Sequence, residues 1–126
     1  MSQRSTLLYG AIAGFLSVAL GAFGAHGLKN FLVMNNHLDT YNLAVEYQFY
    51  HALTLLIIGT LIPSYPKVKG ASILFVLGII LFSGSLYMLS LTDYKWFGFV
   101  TPLGGFLFIA GWLIVIYGVY TKASTQ

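Results

Sequence analysis

The chain contains no cysteine. Disulfides, thiolate-held zinc and thiol nucleophiles are therefore excluded. It is almost as poor in charge, with six Lys/Arg and three Asp/Glu, 7% of its 126 residues. A soluble domain carries about 25%, so this chain cannot solvate the surface of a globule. Six basic residues also build no patch that could hold phosphates, which excludes a nucleic-acid module. No nucleophile elbow, His pair at i, i+4, P-loop or dinucleotide fingerprint occurs. What fills the space is apolar: 58% of residues are hydrophobic, and mean hydropathy is +0.83. The composition and length describe one small integral membrane domain and exclude a soluble enzyme and a disordered chain.

A bilayer core of about 30 Å takes about 20 apolar residues in a helix. Four stretches qualify, over residues 6–25, 40–62, 71–91 and 97–120. The expected fold is all-α, a four-helix antiparallel membrane bundle forming a single domain over 1–126. Short Pro- and Gly-bearing links leave no room for an extramembrane domain. One longer link carries a short amphipathic segment over 28–38, suited to the interface. The first stretch has about 19 apolar residues, longer than the 7–15 of a signal-peptide core, and is read as an uncleaved span. Pro102 with Gly104-Gly105 marks an expected kink near one end of the fourth.

Arg4, Lys67, Lys69 and Lys122 fall on one side of such a bundle. Lys29 and Lys95 fall on the other, beside Asp39 and Asp93. The positive-inside rule then places both termini in the cytoplasm, in a multi-pass protein of the plasma (inner) membrane.

Lipid is as apolar as leucine, so helices in it associate through small residues that permit close approach. Here such residues recur at seven-residue spacing: Gly10, Ser17 and Gly24 with Gly14 and Gly21 beside them; Gly78 and Ser85; Gly104, Gly111 and Gly118. These seams hold the bundle together, or one of them serves a homo-oligomer or a membrane partner. No nucleic-acid partner is expected, and the lipid bilayer is the certain neighbour.

Ionisable residues inside a span are costly and mark candidate sites. The second stretch carries Glu46, Gln48 and His51, with Asn42 and Tyr47 nearby. At about 100° per residue, Glu46 and His51 point about 140° apart and cannot pair. Glu46 lies about 4–5 Å below the outer boundary and His51 about 12 Å. His26, at the outer end of the first stretch, is placed to meet them. His37, in the polar link, reads as solvated. Two readings stand open. In one, the cluster is a hydrogen-bonded lock in a structural, accessory, lipid-binding or partner-binding membrane protein. In the other, it is the polar site of a small-molecule or proton-coupled carrier or sensor, at the outer ends of the first two spans. Two histidines could hold a haem or metal, but without ligand spacing none is assigned, and no cofactor is expected.

Several motifs carry a resemblance. Gly21-Ala22-Phe23-Gly24-Ala25-His26-Gly27-Leu28, Tyr47-Gln48-x-x-His51-Ala52-Leu53, Ser83-Gly84-Ser85-Leu86-Tyr87, Thr101-Pro102-x-Gly104-Gly105 and Gly111-Trp112 run nearly the length of the chain. They resemble the transmembrane-protein-256-like family, also called domain of unknown function 423. These are small bacterial inner-membrane proteins with eukaryotic relatives, and this version looks most like those of Gram-positive bacteria. The resemblance implies a four-span protein and draws attention to His26, Gln48 and His51, with Tyr87 a candidate supporting residue of the polar cluster. It implies no particular reaction, and Glu46 stands just outside the matching motif.

Overall fold

A computed structural model describes residues 1–122, and among them all regular structure is helical. The last four residues of the expected domain lie outside the described ones. Helix α1 (Gln3–Ala25) starts at Ser2, whose hydroxyl accepts from the Ser5 amide. This satisfies one of the amides that a helix start leaves unpaired. A short helix, α2 (Lys29–Met34), occupies the polar link. Its Leu32 is fully buried, while Phe31, Val33 and Met34 are exposed. Helix α3 (Leu38–Leu61) comes next. A 3-10 turn (Pro66–Lys69), helix α4 (Gly70–Gly78), a π turn (Ile79–Ser83) and helix α5 (Gly84–Thr92) run on as one rod. Helix α6 (Phe97–Tyr120) closes the chain and continues through Pro102.

Three of these rods are long and apolar enough to cross a membrane: Gln3–Ala25, Pro66–Thr92 and Phe97–Tyr120. At 24 residues α3 matches them in length but is not one of the three. Asp39, Asn42, Glu46, Gln48 and His51 dilute its apolar character.

The surface is inverted relative to a soluble protein. Phe15, Val18, Phe99, Phe106 and Ile116 are each more than 60% exposed, whereas Thr6, Ser17, Ser72, Ser83 and Ser90 are buried. Large apolar groups outside and small polar groups inside suit a hydrocarbon surround, where tight packing rather than water exclusion joins helices.

The glycines show how close that packing is. None has positive φ, so they serve close approach rather than turns. A Cβ on Gly10 would stand 3.0 Å from the Ala52 carbonyl oxygen and the Leu55 Cβ of α3. One on Gly24 would meet the Tyr41 ring. Helices α1 and α3 therefore run in opposite directions. Along α6, a Cβ on Gly104 would fall 2.7 Å from the Phe82 Cα, on Gly111 2.7 Å from the Phe75 ring, and on Gly118 2.8 Å from Val68. On the other side of the same contact, a Cβ on Gly78 would strike the Phe108 ring. The α4–α5 rod and α6 are thus also antiparallel. Gly14 and Gly21 are looser, with nearest contacts of 3.9 Å to Ala52 and 3.3 Å to Val45. Each of these seams faces another helix of the same chain.

The π turn adds a residue to the α4–α5 rod and re-aims the side chains beyond it, as such bulges do. It turns the Ser83 hydroxyl onto the Ala44 carbonyl of α3 at 2.7 Å. It also brings Phe82 within 4.7 Å of the Tyr47 ring. Nothing in the local sequence pattern announces it.

Candidate functional site

Helix α3 turns one face toward all its neighbours, and its polar residues on that face are used there. Gln48, 4% exposed, donates from Nε2 to the Ala13 carbonyl of α1 at 3.0 Å. Its Oε1 accepts the Tyr87 hydroxyl of α5 at 2.6 Å. One side chain thus ties three helices. Tyr87 also packs edge-on against Tyr41, ring centres 5.2 Å apart. Tyr41 in turn donates to the Leu20 carbonyl of α1.

One turn on, His51 is 5% exposed. Its ring lies flat on Phe108 of α6 at 3.7 Å and 5°. Nδ1 sits 2.8 Å from the Tyr47 carbonyl. The Trp112 indole donates to Nε2 at 3.2 Å. A carbonyl only accepts and an indole N–H only donates. The two contacts therefore require a neutral imidazole with its proton on Nδ1. Tyr47, Phe75 and the Trp112 ring itself complete an aromatic box around the imidazole. Sequence reasoning missed Phe108 and Trp112 as the partners of His51. The Gly111-Trp112 motif was the one signal for them, but the contact spans 61 residues.

Smaller pairs repeat the pattern. Thr6 donates to Ser72 at 2.9 Å between α1 and α4, and Ser85 meets Thr101 at 2.6 Å between α5 and α6. Among the described residues no buried side-chain nitrogen or oxygen lacks a partner.

Three of the expected cluster members do not join. Glu46 and Asn42 are exposed on the outward face of α3. His26 is the exposed C-cap of α1. It stands 13 residues beyond Ala13, the level of Gln48, about 20 Å along the helix. His26 and His51 thus cannot share a haem or metal, and both ring nitrogens of His51 are already engaged. Among the described residues no three His, Asp or Glu side chains gather.

His37 is also not where the sequence put it. It is 9% exposed rather than solvated, and its Nε2 lies 2.7 Å from the Asp93 carboxylate. Asp93 closes α5 in the left-handed conformation, φ 60°, which aspartate tolerates better than most residues. Lys95 reaches the same carboxylate oxygen at 3.1 Å. The bond from His37, then that from Lys95, holds the Asp93 carboxyl below its ordinary value. The α2–α3 link and the α5–α6 turn are thereby clasped.

Comparison with known proteins places these features in a wider set. The family described as "Protein of unknown function (DUF423)" matches residues 20–105, a stretch that holds Gln48, His51 and Tyr87. A UPF0382 membrane protein of Staphylococcus haemolyticus is 44% identical over 115 residues, covering 90% of this chain and 93% of its own. The UPF0382 membrane protein YwdK of Bacillus subtilis is 42% identical over 113 residues, 87% and 91% of the two chains. The UPF0382 inner membrane protein YgdD of Escherichia coli K12 is 40% identical over 124 residues, 94% and 91%. No solved structure matches the chain.

Proposed function

This chain belongs to the DUF423 family of membrane proteins, and on that premise we propose that it is a four-span, non-enzymatic membrane protein whose polar core is a packing lock. The observation that carries the reading is Gln48. Both ends of its amide are spent on other helices, and both ring nitrogens of His51 are engaged, one by the Tyr47 carbonyl of its own helix and one by Trp112 of α6. Groups so engaged are not free to bind substrate or pass protons. In this reading α3 crosses the membrane as the fourth antiparallel span, its polar face turned from lipid. Both termini lie in the cytoplasm, and the protein acts in the plasma membrane by holding lipid, a partner protein or a second copy on its outer face. The test is stability. Removing the Gln48–Tyr87 bond should weaken the fold in a membrane environment, whereas a working site would lose its ligand and keep its stability.

A second reading, a small-molecule carrier or sensor, draws on Glu46. That carboxylate is exposed, and among the described residues it has neither hydrogen bond nor ion pair.

A further inference from the structure

Unlike Gln48 and His51, Glu46 is not spent internally: it is exposed, and no hydrogen bond or ion pair holds its carboxylate among the described residues. It lies eight residues into α3, about 12 Å from the helix start. Its side chain points outward, away from Gln48 and His51. A carboxylate facing the hydrocarbon edge there is costly unless something positive meets it.

The surface around it has a shape. Between α1 and α3, a cavity of about 300 Å³ opens beside Glu46, with Ser17, Gly21, Phe49 and Tyr50 on its walls. A second, of about 490 Å³, continues along the same two helices past Gly10, Gly14, Phe15 and Leu53. Val18 and Phe49 border both, so the two form one groove. Its floor is bare because Gly14 and Gly21 carry no side chain. From Gly21 to Gly10 the groove runs about 16 Å at 1.5 Å per residue, the reach of a medium-length alkyl chain.

The chemistry at the two ends differs. The long end is lined by apolar groups. The other presents a carboxylate with two aromatic rings, Phe49 and Tyr50, the latter 53% exposed. A negative charge with aromatic faces beside it is how proteins hold ammonium groups, through charge and cation–π attraction together. The geometry points to a binding site for a single-chain amphiphilic cation. The ammonium head sits at Glu46 against Phe49 and Tyr50, and the alkyl tail lies along α1 between Gly14 and Leu53. This deepens the proposed function by naming a ligand class for the outer face. It rests on α3 crossing the membrane but not on the lock, because no residue of the groove bonds to Gln48 or His51.

The test uses full-length protein in phosphatidylcholine nanodiscs, with radiolabelled dodecyltrimethylammonium as probe and protein-free nanodiscs as blank. Equilibrium dialysis should show saturable binding near one probe per chain. Glu46→Gln should weaken it at least tenfold while leaving the binding of neutral dodecanol unchanged. Val18→Trp, which fills the groove from its lipid side, should weaken both probes. Melting curves of the same samples should match wild type for both variants, because neither touches the polar core. Binding no greater than in protein-free nanodiscs overturns the site. So does a Glu46→Gln variant that binds the cation like wild type, or a Val18→Trp variant that does. A Glu46→Gln variant that melts early would place Glu46 in the fold, and that too overturns the assignment. Failure of the lock reading shows separately, as an unchanged melting point in Gln48→Leu.

Discussion

Replacing Gln48 with leucine keeps the bulk and removes two bonds, one to the Ala13 carbonyl and one from the Tyr87 hydroxyl. Interhelical side-chain bonds in membrane proteins average about 0.6 kcal/mol, with a maximum of about 1.7. Two of them account for about 1 kcal/mol. The variant also strands the Tyr87 hydroxyl without an acceptor, and an unpaired buried polar group costs about 1–3 kcal/mol. The expected loss for Gln48→Leu is therefore about 2–4 kcal/mol, and at least half of it comes from the group left behind. The double variant sharpens the expectation. Tyr87→Phe removes the stranded hydroxyl, so Gln48→Leu/Tyr87→Phe should cost less than the two single changes together, by about 1 kcal/mol. Steric trapping in bicelles measures unfolding free energies of this size directly. Single variants each within about 0.3 kcal/mol of wild type, with additive effects, would refute the argument that Gln48 ties α1, α3 and α5.

Other contacts set three further expectations. Gly104→Ala drives a methyl into the Phe82 backbone and should cost about 2–3 kcal/mol, whereas Gly84→Ala, with nothing within 4 Å, should stabilise α5 by up to about 1 kcal/mol; thermal melts of the two should move in opposite directions. The Asp93 carboxyl sits below its ordinary value of 3.8 because of His37 and Lys95. A depressed carboxyl pKa gives stability that is present above the ordinary value and lost as pH falls through the folded one, so the melting-point gap between wild type and Asp93→Asn should be open at pH 6 and narrow as pH falls below 3.8. The chain has no cysteine of its own, so single cysteines at Ser2, Thr121 and Lys95 report sidedness; an impermeant thiol reagent applied outside intact cells should label Lys95→Cys alone. Ser2 and Thr121 on opposite sides would mean that α3 does not cross.

Much of this architecture was legible because a membrane simplifies the problem. Long apolar runs have few alternatives to helix, and small residues at seven-residue spacing have few uses but close approach. Gly10, Ser17 and Gly24 can be placed on one seam from spacing alone, and helical rotation alone separates Glu46 from His51. The rest depends on contacts distant in sequence. Asn35-Asn36-His37 reads locally as a wet turn, and only the return of the chain at Asp93, 56 residues later, buries the imidazole. His26 looks close to the cluster when depth is counted from the membrane surface, whereas α1 meets Gln48 at Ala13. Trp112 lies on a helix whose apolar residues are nearly uniform around its circumference, so no pattern could show which of them face His51. The polarity of α3 sets it apart from the three apolar spans, although its buried polar residues Gln48 and His51 face the other helices.

If the polar groups inside the bundle lock one another, the His51 ring must show it. Nitrogen-15 NMR of the histidine side chains in micelles, assigned through a His51→Ala variant, reads the position of the ring proton. The lock predicts a neutral His51 protonated on Nδ1, with Nε2 shifted by the Trp112 indole, and a change at Nε2 alone in Trp112→Phe. A His51 protonated on Nε2, or one whose signals ignore Trp112→Phe, would contradict it.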